Sequence, residues 1–159
     1  MPNDQAPTVA LATAVPVRTK PSNYPEPFAT RVLGRTKRPL GNFFGLNNFG
    51  VNLTTVRPGA ISALRHAHSK QDEFIYVVSG RIWLECDTGT WELGPGMCAG
   101  FPSGTGNAHR LVNRSQEDAT YLEVGDRTPG DDASYPDDDL VARMVDGAWA
   151  FFHKDGRPY

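Results

Sequence analysis

The stretch RHAHSKQDEFIYVVSG, residues 65–80, brings two imidazoles and a carboxylate within eight positions of one another: His66, His68 and Glu73. Imidazole nitrogens and carboxylate oxygens are the donors that divalent transition metals take at about 2 Å. Residues two positions apart on a strand share a face. If SKQD is the loop of a hairpin, His68 stands directly opposite Glu73 and His66 opposite Ile75. One face then carries Ser62, Leu64, His66 and His68 on the first strand and Glu73, Ile75, Val77 and Ser79 on the second. Opposed and adjacent Cβ atoms about 5 Å apart let three such donors converge on one ion. Burying them with neither a cation nor hydrogen-bond partners would cost several kcal/mol. The H-x-H pair alone favours a plain surface role, and Glu73 strengthens the case for a site without deciding it.

A fourth imidazole lies further along, in GPGMCAGFPSGTGNAHRLVN, where His109 opens a strand after a glycine-rich turn and precedes Asn113 by four positions. The two stretches together resemble the paired signatures of the cupin superfamily. Gly59, His66, His68, Glu73 and Gly80 match the first signature, with one extra residue before His66. Gly96, Pro102, Gly106, His109 and Asn113 match the second, with two extra residues between Pro102 and Gly106. The resemblance implies a metal held by His66, His68, Glu73 and His109. It implies an all-β fold, a double-stranded β-helix or jelly-roll barrel with the metal inside its mouth. The tail GDRTPGDDASYPDDDL resembles that of small bacterial single-domain cupins, some of them named provisionally as sugar-phosphate isomerases.

Elements able to hold such a site are legible without the resemblance. From about Val32 to Val124, eight short apolar stretches alternate with turn clusters: FGVNLTTV, AISALRHAH, FIYVVSG, RIWLECD, TWEL, MCAGFP, HRLVN and ATYLEV. Short strands at this spacing predict a sandwich or barrel, and no long helical pattern separates them as a parallel sheet would require. Polar residues on inward faces need a lined cavity. Residues 1–27 lack a sustained period and predict a flexible arm, disordered or laid across a neighbour. The barrel is expected over 28–126 and a C-terminal extension packed on it over 127–159. Within the extension, SYPDDDLVARMV predicts a short helix with aspartates at its N-terminal end, and AWAFFHKDGRPY reads as extended.

Composition narrows the function classes. The 159 residues carry a formal net charge of −2, with 21% charged and 39% apolar residues. That balance gives no general attraction to nucleic acid or anionic membrane. No apolar run reaches the roughly 18 residues of a membrane span, and a cytoplasmic location is expected. Cys86 and Cys98 form no C-x-x-C pair and are read as small core residues.

The remaining candidates have plainer readings. His153 has no partner at ligand spacing; Arg65 and Arg110 alternate away from their histidine neighbours and belong on the outer face. Asp131, Asp132 and Asp137–Asp139 lack the order of a calcium loop and read as a solvated acidic run. Trp83, Trp91 and Trp149 read as packing or interface residues, and Phe101, Tyr76 and Tyr121 as core.

Three imidazoles and a carboxylate suit one divalent transition ion per chain: Fe, Mn, Zn, Ni or Cu. Such an ion would bind a small oxygenated metabolite and support isomerase, lyase or dioxygenase chemistry. A non-catalytic module that binds or senses a small molecule through the metal is the alternative. No general base is evident on the ligand face, except that Glu73 could leave the metal and serve as acid or base. The resemblance also implies a homodimer.

Overall fold

A computed structural model describes residues 8–159 and gives an almost wholly β molecule. In chain order the strands are β1 Arg35–Arg38, β2 Phe49–Val56, β3 Ala67–His68, β4 Glu73–Ser79, β5 Ile82–Cys86, β6 Gly89–Leu93, β7 Cys98–Phe101, β8 His109–Val112, β9 Ala119–Asp126, β10 Asp132–Tyr135, β11 Leu140–Val145 and β12 Ala148–Phe152. One short α-helix, α1 Leu40–Phe43, joins β1 to β2. Two sheets face each other as the walls of a jelly-roll barrel. The first has the order β1-β2-β9-β4-β7. The second runs β6-β5-β8, is bridged through Ile61↔Val112 and His66↔His109, and continues as β3-β10-β11-β12.

The period of two decides which side chains enter the barrel. On β4, Ile75 and Val77 are fully buried between the sheets whereas Phe74, Tyr76 and Val78 face outward. Ile82, Leu84, Leu93 and Leu111 oppose them from the second sheet and close one end with an apolar core. At the other end the inward positions are polar: Glu73 on β4, Glu123 on β9, Asn52 on β2 and Lys37 on β1, each aligned by the register of its neighbour. The barrel is therefore sealed below and open above.

Two expectations are corrected. SKQD is not the loop of a hairpin: β3 pairs with β10, while β4 pairs with β7 and β9. His68 and Glu73 lie in opposite sheets and meet across the barrel instead of along one ladder. The expected helix in the tail is an antiparallel pair, β10 with β11. Leu140 and Ala142 are buried and Arg143 exposed, so alternation outweighs the aspartates, which occupy the connecting turn. Phe28, Leu64, Ala133, Tyr135, Leu140 and Ala142 form a second core there, packing the extension onto the barrel.

Residues 1–7 of the expected flexible arm lie outside the described residues. From residue 8 the chain lies along its own barrel rather than hanging free: Val15 is buried with Leu40 and Leu53, and the Arg18 amide donates to the Lys37 carbonyl at 2.8 Å. Apolar residues in this stretch, spaced without a period, find a surface on the outside of the first sheet. Cys98 is exposed and Cys86 half-buried, so neither is the core residue expected. Among the described residues no helix is long and apolar enough to cross a membrane.

Candidate metal centre

The two sheets bring their polar ends together at His66, His68 and Glu73, whose donor atoms all lie within 4.8 Å of one another. His66 is carried by the segment entering β3, where it forms a bridge to His109 with backbone hydrogen bonds of 3.0 and 2.8 Å. That bridge puts the two imidazoles side by side, ring centroids 4.8 Å apart. Glu73 begins β4 in the facing sheet and reaches across: its Oε2 lies 3.3 Å from His109 Nε2 and 3.7 Å from His66 Nε2. His109 falls outside the mutual group of three and adjoins it through Glu73.

Hydrogen bonds fix which ring nitrogens face the centre. His66 Nδ1–H donates to the Leu64 carbonyl at 2.8 Å and His68 Nδ1–H donates to Asp131 Oδ2 at 2.6 Å. In a neutral imidazole the other nitrogen then carries a lone pair, so the Nε2 atoms of both rings are available as donors. In that neutral tautomer the His66 lone pair and the Glu73 carboxylate oxygen stand 3.7 Å apart. Such a convergence of acceptors is stabilised by a cation at its centre. The nitrogen and oxygen donors are those that divalent transition metals accept, so the residues fit such an ion.

The electrostatics prepare the same state. Burial alone would push the Glu73 carboxyl up, but the hydrogen bond with His109 and the positive charge that His109 and His66 bring when protonated hold it well below the usual carboxylate range. Burial pushes His109 down, aided by the charges of His66 and His68 and only partly opposed by Glu73. An ionised carboxylate beside a neutral imidazole is the protonation state that metal ligation requires. His109 lies flat against Phe101, centroids 3.5 Å apart and planes within 3°, and Tyr135 stacks on His66 at 5.9 Å. The aromatic faces exclude water from behind the imidazoles. His109 Nδ1 is buried without a hydrogen-bond partner.

His68 and Glu73 line an open cavity of about 1110 Å³, together with Glu123, Asn52, Arg18 and Trp149. Glu123 opposes Ile75 in the β4–β9 ladder and therefore sits diagonally from Glu73 on the inner face. Lys37 Nζ donates to both its oxygens, at 2.6 and 2.9 Å, and Asn52 Nδ2 donates at 3.1 Å. Alternation in ATYLEV marks Glu123 as sharing a face with Tyr121, but nothing in RTKR marks Lys37 as inward. Asp131 is also absent from the sequence reading of the site. It is fully buried, not part of a solvated run, and its Oδ1 accepts from Ser69 Oγ and the Lys70 and Gln71 amides.

The plainer readings stand elsewhere. Arg65 pairs with Asp137 and Asp87, Arg110 with Glu85, and His153 with Asp139 at 2.8 Å, all away from the cavity. Asn113 is a structural member of its motif: its Nδ2 donates to the Val56 and Glu117 carbonyls at 2.8 and 2.7 Å. The enlarged loop before His109 is tied to the ligand strand, Gly104 N–H donating to the His68 carbonyl at 2.9 Å.

A family model described as a cupin domain matches residues 52–125. Among solved structures, a protein from Silicibacter pomeroyi, described as a sugar phosphate isomerase from a cupin superfamily, is 42% identical. The match covers 92% of this chain and 93% of that one, with a TM-score of 0.87. A protein from Acidithiobacillus ferrooxidans given the same activity provisionally is 28% identical over 79% of this chain and 80% of its own, TM-score 0.71. The polyketide cyclase RemF from Streptomyces resistomycificus is 25% identical, covering 74% and 78%, TM-score 0.61. No curated protein matches.

Proposed function

This chain belongs to the cupin superfamily, and we propose that it is a metal-dependent isomerase of a small hydroxy-carbonyl metabolite, with sugar phosphates the first class to test. The observation that carries the reading is the group of His66, His68 and Glu73 donors within 4.8 Å of one another, two of them on the wall of an open cavity. Identity of 42% to a protein described as a sugar phosphate isomerase supports the reaction class. A divalent transition ion held by His66, His68 and Glu73, with His109 as fourth ligand, would supply positive charge that polarises a substrate carbonyl and stabilises the negative charge left when a neighbouring C–H loses its proton.

The chain's own residues supply the rest. Glu123 Oε takes the proton from one carbon and returns it to the next, as a positioned carboxylate does in general acid–base catalysis. Lys37 and Asn52 hold that carboxylate in place from behind. Phe101 and Tyr135 keep the imidazole rings dry and in fixed orientation. The open side of the cavity, with Arg18 and Lys20 on its rim, offers cationic groups to an anionic end of the substrate. The protein is proposed to work as a homodimer.

The test uses metal-free protein reconstituted separately with Fe(II), Mn(II) and Zn(II). Each form is incubated with a panel of aldose and ketose phosphates in D2O, and the expected result is solvent deuterium on the carbon next to the carbonyl, lost in Glu123→Gln. Oxygen consumption by the iron form is measured in parallel. Oxygen uptake without exchange would replace the isomerase reading with a dioxygenase, and silence in both assays would leave a metal-dependent binding module.

A further inference from the structure

Asp131 stands outside the segment matched by the cupin domain, in the stretch leading into β10. It is nevertheless fully buried, and the His68 ring together with three donors from the turn that follows it converge on it. We infer that Asp131 is the positioning residue of the metal centre, so that the C-terminal extension is a working part of that centre. The inference rests on reading His66, His68 and Glu73 as metal ligands.

The two carboxylate oxygens divide the task. Oδ2 accepts from His68 Nδ1–H at 2.6 Å, which selects the tautomer with Nε2 free and fixes the ring about its bond to the chain. Oδ1 accepts from Ser69 Oγ at 3.1 Å, the Lys70 amide at 2.7 Å and the Gln71 amide at 3.3 Å. Those three donors belong to the turn that crosses from the sheet bearing His68 to the sheet bearing Glu73. One side chain thus sets both the direction of one ligand and the span between two. Neighbouring bonds lock Asp131 in turn: the Ser69 amide donates to the Asp132 carbonyl at 2.9 Å, the Asp132 amide donates to Ser69 Oγ at 2.9 Å, and Ala133 pairs with His68.

Packing alone does not account for this residue. Burying a carboxylate costs several kcal/mol before its partners compensate, and here the compensation comes from the His68 ring, the Ser69 hydroxyl and two amides, which an apolar side chain would leave without an acceptor. A carboxylate on the far nitrogen of a ligating imidazole does something an apolar group cannot: it orients the ring and strengthens the donor atom. Because the interaction runs both ways, an ion at the centre also tightens the hold of the turn and of His68 on β10.

Zinc(II) and cobalt(II) alone are the probes, added to the metal-free full chain in competition with a chromogenic chelator. Asp131→Asn keeps the shape and should weaken zinc binding about 10-fold, and Asp131→Ala about 100-fold. The neighbouring Asp132→Asn should leave the affinity unchanged. Imidazole ¹⁵N–¹H spectra of the metal-free protein should show His68 as one Nδ1–H tautomer, and as a mixture in Asp131→Asn. A packing role would lower the thermal midpoint and move neither the dissociation constant nor the tautomer. Zinc affinity within twofold of wild type in Asp131→Asn overturns the inference, and that variant decides the matter if Asp131→Ala does not fold. His68→Ala separates the two readings. If it loses zinc while the Asp131 variants retain it, only the role of Asp131 falls; if it binds like wild type, or wild type takes up no metal, the metal reading falls as well.

Discussion

At the scale of single residues, the centre rests on two nitrogens whose lone pairs are aimed by what their opposite nitrogens donate to. Removing either ring should therefore be decisive: His66→Ala and His68→Ala are expected to weaken metal uptake by at least about 100-fold, whereas His153→Ala, paired with Asp139 far from the cavity, leaves it intact. Elemental analysis of the purified variants checks this, and retained metal in the first two would mean that the ligands lie elsewhere. Acid sensitivity has the same origin. Glu73 is held below its ordinary range and His109 is pushed down by burial. A group depressed in the folded state contributes stability above its unfolded pKa and loses it as pH falls through the folded one. For His109 that loss begins near pH 6.5 and for Glu73 near pH 4.3, about the values of the free side chains. Both act in one direction, so the thermal midpoint of the metal-free protein should fall as pH drops from about 6.5 toward 4. A His109→Gln variant should lack the upper part of that decline; a midpoint that is flat or rising on acidification would contradict the assignment. His66, His68 and Glu73 were legible because donor types at short spacing survive any detail of pairing. His109 needed the resemblance. Glu123, Lys37 and Asp131 were not legible, because each acquires its meaning from a partner between 60 and 86 positions away along the chain.

Elements were read more securely than their pairings. All eight apolar stretches contain a strand, and the inward faces of FIYVVSG and ATYLEV follow from alternation alone. The period of two tells which side of a strand is buried but says nothing of which strand lies beside it. By alternation alone SKQD reads as a hairpin loop, whereas it carries the chain from one sheet to the other. The same blindness made a helix of the tail, since aspartates ahead of an apolar run suit a helix start and a turn between strands equally. Turns that reverse the chain can be tested directly. Gly80 links β4 to β5 at φ +74°, and a Cβ there would meet the Asp118 carbonyl oxygen at 2.4 Å. Gly59 has nearly the same φ, +75°, with nothing within 4 Å of such a Cβ. Gly59→Ala should cost about 1 kcal/mol for left-handed strain, and Gly80→Ala about 2–4 kcal/mol because the backbone clash adds to it. Denaturant midpoints measure the difference, and equal losses would mean that Asp118 gives way.

The whole molecule keeps the two faces of its first sheet for separate purposes. The inner face of β4 presents Glu73 to the cavity. The outer face presents Phe74, Tyr76 and Val78, exposed by 42%, 41% and 46%. On the β2 side of the same sheet the outer surface is already covered, with Val15 and Leu40 packed on Leu53. Exposed apolar side chains grouped on one face are one kind of surface on which another protein can dock, and this is the face we propose for the homodimer. Sedimentation should then give about twice the chain mass of 17.4 kDa. A Tyr76→Glu, Val78→Lys double variant should sediment as a monomer and still take up one metal per chain, because alternation along β4 keeps those side chains out of the barrel. Wild-type protein at monomer mass would refute the dimer while leaving the centre untouched. Loss of metal together with loss of the dimer would instead mean that subunit contact holds β4, and with it Glu73, in register.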